Sequence, residues 1–439
     1  MKRRLIIIAA SLLAAVFLLC VWAYQFGYVT AAVSASPALL SGKALIEQQQ
    51  RGAYLARIGN CQGCHTARGG SAYAGGRLIA SEFGQFSTPN ITPDLRNGIG
   101  SWSAGDFWQA LHFGKSRDGS LLYPAFPYPN YTQITRSDAD ALFAYLQTVT
   151  AVATPRLPHQ LRFPYSERRL LALWRAWYFQ AQVFVAEPAA TPAFKRGAYL
   201  VNGLGHCSAC HSPRNSLGAN RGTADFSGAE MPISRWYAPS LFDPAQAHLG
   251  VLTKAEATRL LQTGIGKASV MSGPMSEVMI ESLQYLNDAD RAAMLSYLQA
   301  LPRSEVPAPD LLERALARPP LSPTRLTLIM QQGEKLYTDH CLDCHGASGS
   351  GVAGIYPALA GNRALQSAHI GNPVRIVLNG GFTPLTVGNP RPYSMPPFGP
   401  QLSDADIAAL LSYVRGSWGN QGGPVSASEV NPYRTAPAD

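Results

Sequence analysis

The chain has no cysteine to spare. Seven occur in 439 residues; six lie in three short clusters, and the seventh, Cys20, stands alone in an apolar run. No pair is left for a structural disulfide, so packing, together with whatever the clusters bind, must hold the fold. Charge is scarce too, at 14% of residues, with a basic balance of +9. Outside Lys2-Arg3-Arg4 no run of Lys and Arg offers a nucleic-acid surface, and the excess reads as a solvated exterior. Methionine is missing between Met1 and Met231. Charge is missing altogether from Leu5 to Tyr24, which contain one serine. A basic flank before an apolar core is the pattern of an export signal, and the run is long enough to span a bilayer. Residues 1–36 are therefore a signal peptide or membrane anchor, with the anchor preferred. Ala32-Val33-Ser34-Ala35-Ser36 supplies small residues for a signal peptidase. The basic flank puts the N-terminus in the cytoplasm and the bulk outside it. Leu19 is too large for a lipidation site, so Cys20 reads as a membrane-facing apolar residue.

What is present is one signature, three times: Cys61-Gln62-Gly63-Cys64-His65, Cys207-Ser208-Ala209-Cys210-His211 and Cys341-Leu342-Asp343-Cys344-His345. Two thiols at this spacing can form thioethers with the two vinyl groups of one haem, and the adjacent histidine can bind the iron. Zinc sites and redox dithiols also use Cys-x-x-Cys, but the histidine that follows each pair favours haem. The expected cofactor is three covalently bound haem c groups.

The surroundings repeat as well. Arg51-Gly52-Ala53-Tyr54-Leu55, Arg196-Gly197-Ala198-Tyr199-Leu200 and Gln332-Gly333-Glu334-Lys335-Leu336 precede the clusters as helices. Glycines 52, 197 and 333 are where close helix–helix approach is expected. Proline loops follow at Thr88-Pro89, Ala238-Pro239 and Tyr356-Pro357, then helices ending at Gly114, Gly264 and Gly380. Each copy closes with a capped amphipathic helix, expected to begin at Ser137-Asp138, Asn287-Asp288 and Ser403-Asp404. An opening helix, a haem loop and a closing helix that crosses the first is the plan of a class I cytochrome c domain. The fold class is mainly α: three tandem class I cytochrome c domains at 45–150, 190–302 and 326–418, plus the N-terminal helix. Residues 419–439 read as a polar, disordered tail. Both linkers are proline-rich, and Trp174, Trp177, Tyr178 and Phe179 in the first suggest packing between domains.

The iron's sixth position separates the copies. Thioether ligation favours ferrous iron and raises its potential. Met275, after Gly273-Pro274, and Met395, before Pro396-Pro397, are the candidate ligands of haems 2 and 3. One of Met271 and Met279 is ordinary core filler. The matching loop of the first copy reads Leu122-Tyr123-Pro124-Ala125-Phe126-Pro127, and Phe126 cannot bind iron. His112 and His159 are the nearby alternatives, and the sixth ligand of haem 1 stays unassigned.

The stretch from Arg196 to Asn215, with Thr88-Pro-Asn-Ile-Thr-Pro-Asp94, Gly98-Ile-Gly-Ser-Trp102 and Leu122-Tyr-Pro124, resembles tri-haem cytochrome c subunits of membrane-bound bacterial dehydrogenases over roughly residues 45–420. The resemblance implies a separate catalytic subunit (molybdenum, quinoprotein or flavoprotein) that oxidises an alcohol, sugar acid or aldehyde/N-heterocycle. It implies ubiquinone or another periplasmic carrier as electron acceptor. Many relatives have Met where Phe126 stands, and this departure leans toward the molybdenum-paired group. The alternatives are a peroxidase-type haem enzyme using a five-coordinate haem 1, or the cytochrome subunit of a terminal oxidase.

Overall fold

In the computed structural model, which describes residues 2–28, 40–267, 269–304 and 321–437, helices carry the architecture. In chain order they are α1 (Lys2–Ala23), α2 (Gly42–Ile58), α3 (Ala104–Phe113), α4 (Arg136–Leu146), α5 (Leu171–Tyr178), α6 (Pro192–Ala198), α7 (Lys254–Thr263), α8 (Pro274–Glu281), α9 (Asp288–Gln299), α10 (Pro323–His340), α11 (Gly371–Asn379), α12 (Asp404–Gly416) and α13 (Ala427–Arg434). The largest sheet joins three short antiparallel strands, Leu78–Ser81, Gly84–Ser87 and Gln160–Leu161. The small residues at 32–36 and most of the second linker lie outside the described residues.

Three helix crossings share one construction. A Cβ on Gly52 would stand 1.8 Å from the Ala141 carbonyl oxygen, one on Gly197 2.0 Å from that of Ala293, and one on Gly333 2.2 Å from that of Ala409. Only glycine lets α2 meet α4, α6 meet α9 and α10 meet α12 this closely. One turn before each contact, an aspartate ties the pair. Arg51 Nε donates to Asp138 at 2.7 Å, Arg196 donates through two nitrogens to Asp290 at 2.8 Å, and Gln332 donates to Asp406 at 2.8 Å. The same aspartates occupy the first turn of the closing helix, where their backbone N–H groups donate to the caps Thr135, Asn287 and Ser403. The first of these caps lies two residues before the Ser137 expected. A threonine hydroxyl accepts the free N–H groups as a serine does, so the helix starts earlier. The preceding helices end at Gly114, Gly264 and Gly380, each at positive φ.

The chain divides into two compact units. One comprises Met1–Ala186 with Asn202–His206 and Arg214–Thr223; the other comprises Glu187–Val201, Cys207–Pro213 and Ala224–Asp439. The first holds the α2/α4 crossing and the N-terminal helix. There, the aromatic linker helix α5 packs on the end of the N-terminal helix: Trp22 and Trp177 lie 5.7 Å apart. The second unit holds the α6/α9 and α10/α12 crossings. Its two halves are clamped by Tyr237 and Asn372, which exchange two 2.8 Å hydrogen bonds, and by His369 stacked on Tyr237 at 3.7 Å.

The C-terminal tail is not disordered over its described length. Helix α13 carries Val430 and Tyr433 on one face, both buried in the core of the last repeat. A Ser426/Glu429 capping box starts it, and Arg434 pairs with Asp404. The short i,i+3 apolar face is masked by polar neighbours, so composition alone misreads it.

Candidate haem-attachment sites

Each Cys-x-x-Cys-His cluster winds into one helical turn at Cys61–Cys64, Ser208–His211 and Leu342–His345. The proline loops expected from the sequence then reach back to the histidines. The Nδ1 atoms lie 2.8 Å from Pro89 O for His65, 2.7 Å from Pro239 O for His211 and 3.0 Å from Pro357 O for His345. A carbonyl only accepts, so each Nδ1 donates its proton and each Nε2 keeps a lone pair for a metal. Burial, partly opposed by the carbonyl, lowers the basicity of all three rings below the ordinary histidine range and favours the neutral form a ligand needs.

None of the six cysteines is in a disulfide. Burial pushes Cys61 and Cys207 up to about 12 and Cys341 up to about 11. Redox dithiols require the opposite shift. Among the described residues no group of three or more His, Cys, Asp and Glu is arranged to hold a metal ion.

Aromatic side chains pack beside the first cluster. Tyr131 is buried near Cys61 and Cys64, donates to Gly59 O at 3.3 Å, and packs its ring 5.3 Å from Phe126. Tyr131 does not stand out in the sequence, since an aromatic beyond a proline loop carries no distinguishing signal. His112 is a packed core residue: its ring stacks on Trp108 at 4.3 Å and meets Phe113 edge-on. His159 Nδ1 accepts the Ser87 N–H at 3.1 Å. Its neutral ring therefore keeps its proton on Nε2 and has no lone pair free for iron.

Among the methionines of the second repeat, Met279 is fully buried against Gly264, the filler expected there, while Met275 at the start of α8 is only partly buried. Met395 sits in a two-residue strand paired with Gly381 and packs against the core of the third repeat.

The cytochrome c family model matches residues 49–150 and 330–418. The cytochrome c subunit of a quinone-type alcohol dehydrogenase from Gluconacetobacter polyoxogenes is 35% identical, covering 91% of this chain and 88% of that protein. The gluconate 2-dehydrogenase cytochrome c subunit of Pantoea cypripedii is 36% identical over 84% and 86% of the two chains. The chain belongs to the family of dehydrogenase cytochrome c subunits. Another relative of this cytochrome c subunit, a nicotinate dehydrogenase chain of Pseudomonas putida, is 38% identical over 83% of this chain but only 30% of its own length.

Membership implies covalently bound haem c, and the donor set fits that group. Cysteines at thioether spacing, none of them in a disulfide, stand beside a neutral imidazole whose free nitrogen is fixed by a carbonyl. The fit recurs at all three clusters.

Proposed function

We propose that this subunit carries electrons from the catalytic subunit of a bacterial dehydrogenase, through three haem c groups, to ubiquinone or another periplasmic carrier. The observation that carries the proposal is the likeness to cytochrome c subunits of alcohol and gluconate dehydrogenases over more than four-fifths of the chain. Bound haem c supplies a one-electron ferric/ferrous couple. Cys61 and Cys64, Cys207 and Cys210, and Cys341 and Cys344 would hold the three groups, with His65, His211 and His345 supplying imidazole nitrogen to the irons. Met275 and Met395 would supply thioether sulfur to the second and third. The aromatic lining of Phe126 and Tyr131 offers no such donor, so the first centre is expected at a lower potential than the other two. The substrate-oxidising partner is of the molybdenum, quinoprotein or flavoprotein class. The apolar helix Lys2–Tyr28 would keep the subunit on the periplasmic face of the inner membrane.

Purified full-length protein should contain three haems per chain by iron and pyridine-haemochrome assay. Mixed with its dehydrogenase partner and that enzyme's substrate, it should pass electrons to a soluble ubiquinone analogue. Turnover of peroxide by the chain alone at enzymatic rates would replace this reading with that of a haem enzyme.

A further inference from the structure

A cleft of about 310 Å³ opens in the first unit and is lined by Tyr123, Arg156, His159, Ser166 and Arg168 together with leucine and proline. Its polar side chains are donors or hydroxyls, and no carboxylate lines it. Arg156 has no hydrogen-bond or ion-pair partner among the described residues. The His159 proton sits on Nε2, because Nδ1 accepts the Ser87 N–H, and no described acceptor is bonded to it. Arg168 donates to Ser120 Oγ at 3.2 Å and lies 5.3 Å over the Tyr123 ring. Two acids lie close by but outside the lining: Asp118, which is engaged by Ser120 and whose charge reaches Arg156 and Arg168, and Glu167, whose charge reaches Tyr123.

The position of the cleft matters as much as its chemistry. Ser120 belongs to a tight turn bridged between Lys115 and Leu121. The same turn receives the end of the N-terminal helix: Tyr28 OH donates to Gly119 O at 3.1 Å, and Lys115 lies 5.0 Å over the Tyr28 ring. One short turn thus joins the cleft to the outer end of the one described helix able to cross a bilayer.

We propose that this cleft binds a phosphate oxyanion, supplied by the headgroup of an anionic phospholipid beside the N-terminal helix. Two guanidiniums and an imidazole N–H present donors to phosphate oxygens, and the volume accommodates a headgroup. Burial, with the charges of Arg156 and Arg168, lowers His159 to about 4, so the ring stays neutral and donates from one nitrogen only. The oxyanion chemistry stands on the cleft alone; the phospholipid source rests on reading Lys2–Tyr28 as a retained anchor.

The test uses the full-length, three-haem protein. Calorimetric titration with inorganic phosphate at low salt should show binding that weakens about tenfold or more in Arg156→Gln/Arg168→Gln, the loss expected for charge-assisted bonds. An unchanged haem spectrum checks folding of the variant, and His159→Phe, which removes one donor without changing charge, should weaken binding by a smaller factor. No phosphate binding, or equal binding by wild type and double variant, overturns the proposal. A second arm extracts protein from membranes and counts retained phosphatidylglycerol by mass spectrometry. Arginine-dependent retention supports the headgroup source. Arginine-dependent phosphate binding without lipid retention overturns that source and leaves a site for a free oxyanion.

Discussion

Met395 is the residue whose loss reads most directly. Its thioether is the proposed sixth donor of the third haem, held between the strand pair with Gly381 and the core of the last repeat. Met395→Leu keeps the packing volume and removes the sulfur, so folding should survive within about 1.5 kcal/mol. The potential of one centre should fall by on the order of 0.2 V, a modest part of the roughly 0.8 V that axial ligands control. Reduced protein should also bind one more CO per chain, and a CO-difference spectrum identical to wild type would refute the assignment. His159 gives a prediction of different kind. Its folded value of about 4 lies below the ordinary 6.5, so between these values the unfolded chain binds the extra proton. Its contribution to stability is complete above about pH 6.5 and is lost as pH falls toward 4. The loss should amount to about 1–2 kcal/mol after allowing for solvent screening. Urea midpoints measured across that window should fall for wild type and flatten for His159→Phe.

At the scale of helices, the glycines decide the crossings. Gly333→Ala would place a Cβ 2.2 Å from the Ala409 carbonyl and 2.6 Å from Tyr413 Cβ, and both belong to the closing helix. Backbone cannot rotate away as a side chain tip can, so the pair must separate. A loss of about 2–3 kcal/mol is expected, with no change in the haem ligands themselves. Gly222→Ala is the control, since its Cβ would meet nothing within 4 Å and its φ is not positive. Chemical denaturation of the two variants side by side separates crowding from simple loss of glycine. Equal midpoints would show that the crossing tolerates a methyl group. These crossings were legible in the sequence because Gly52, Gly197 and Gly333 each stand shortly before a chemically distinctive cluster. The Pro89, Pro239 and Pro357 loops were legible for the same reason. Their role was not, because a carbonyl acceptor leaves no trace in residue type. The tail helix was hidden by its composition, with Val430 and Tyr433 alone among polar residues. The cleft at Arg156 and Arg168 was invisible, since a linker gathers its lining from segments that show no periodicity.

For the molecule as a whole, the N-terminal helix is built into the fold rather than appended to it. Gly27 approaches α5 so closely that a Cβ would strike the Ala172 carbonyl. Arg175, with 3% of its surface exposed, donates to Gly27 O at 2.6 Å and to Phe113 O at 2.6 Å. Removing the helix would take one acceptor from a buried guanidinium, and a hydrogen bond to a charged group contributes about 1.5–3 kcal/mol. The exposed apolar residues of α1, among them Leu5, Ile8, Leu12 and Phe17, are what the proposed anchor would present to lipid, and the Trp22, Tyr24, Phe26 and Trp177 rings would then suit the membrane–water interface. A cleaved signal peptide needs none of these contacts. The protein isolated from membranes should therefore carry Lys2–Tyr28, with an intact mass equal to the uncut chain, with or without its initiator methionine, plus three haems. Salt washes should leave it in the membrane fraction and detergent should release it. A mature N-terminus beyond Tyr28 would show that Arg175 has another partner in the working subunit and would remove the anchor from the proposed function.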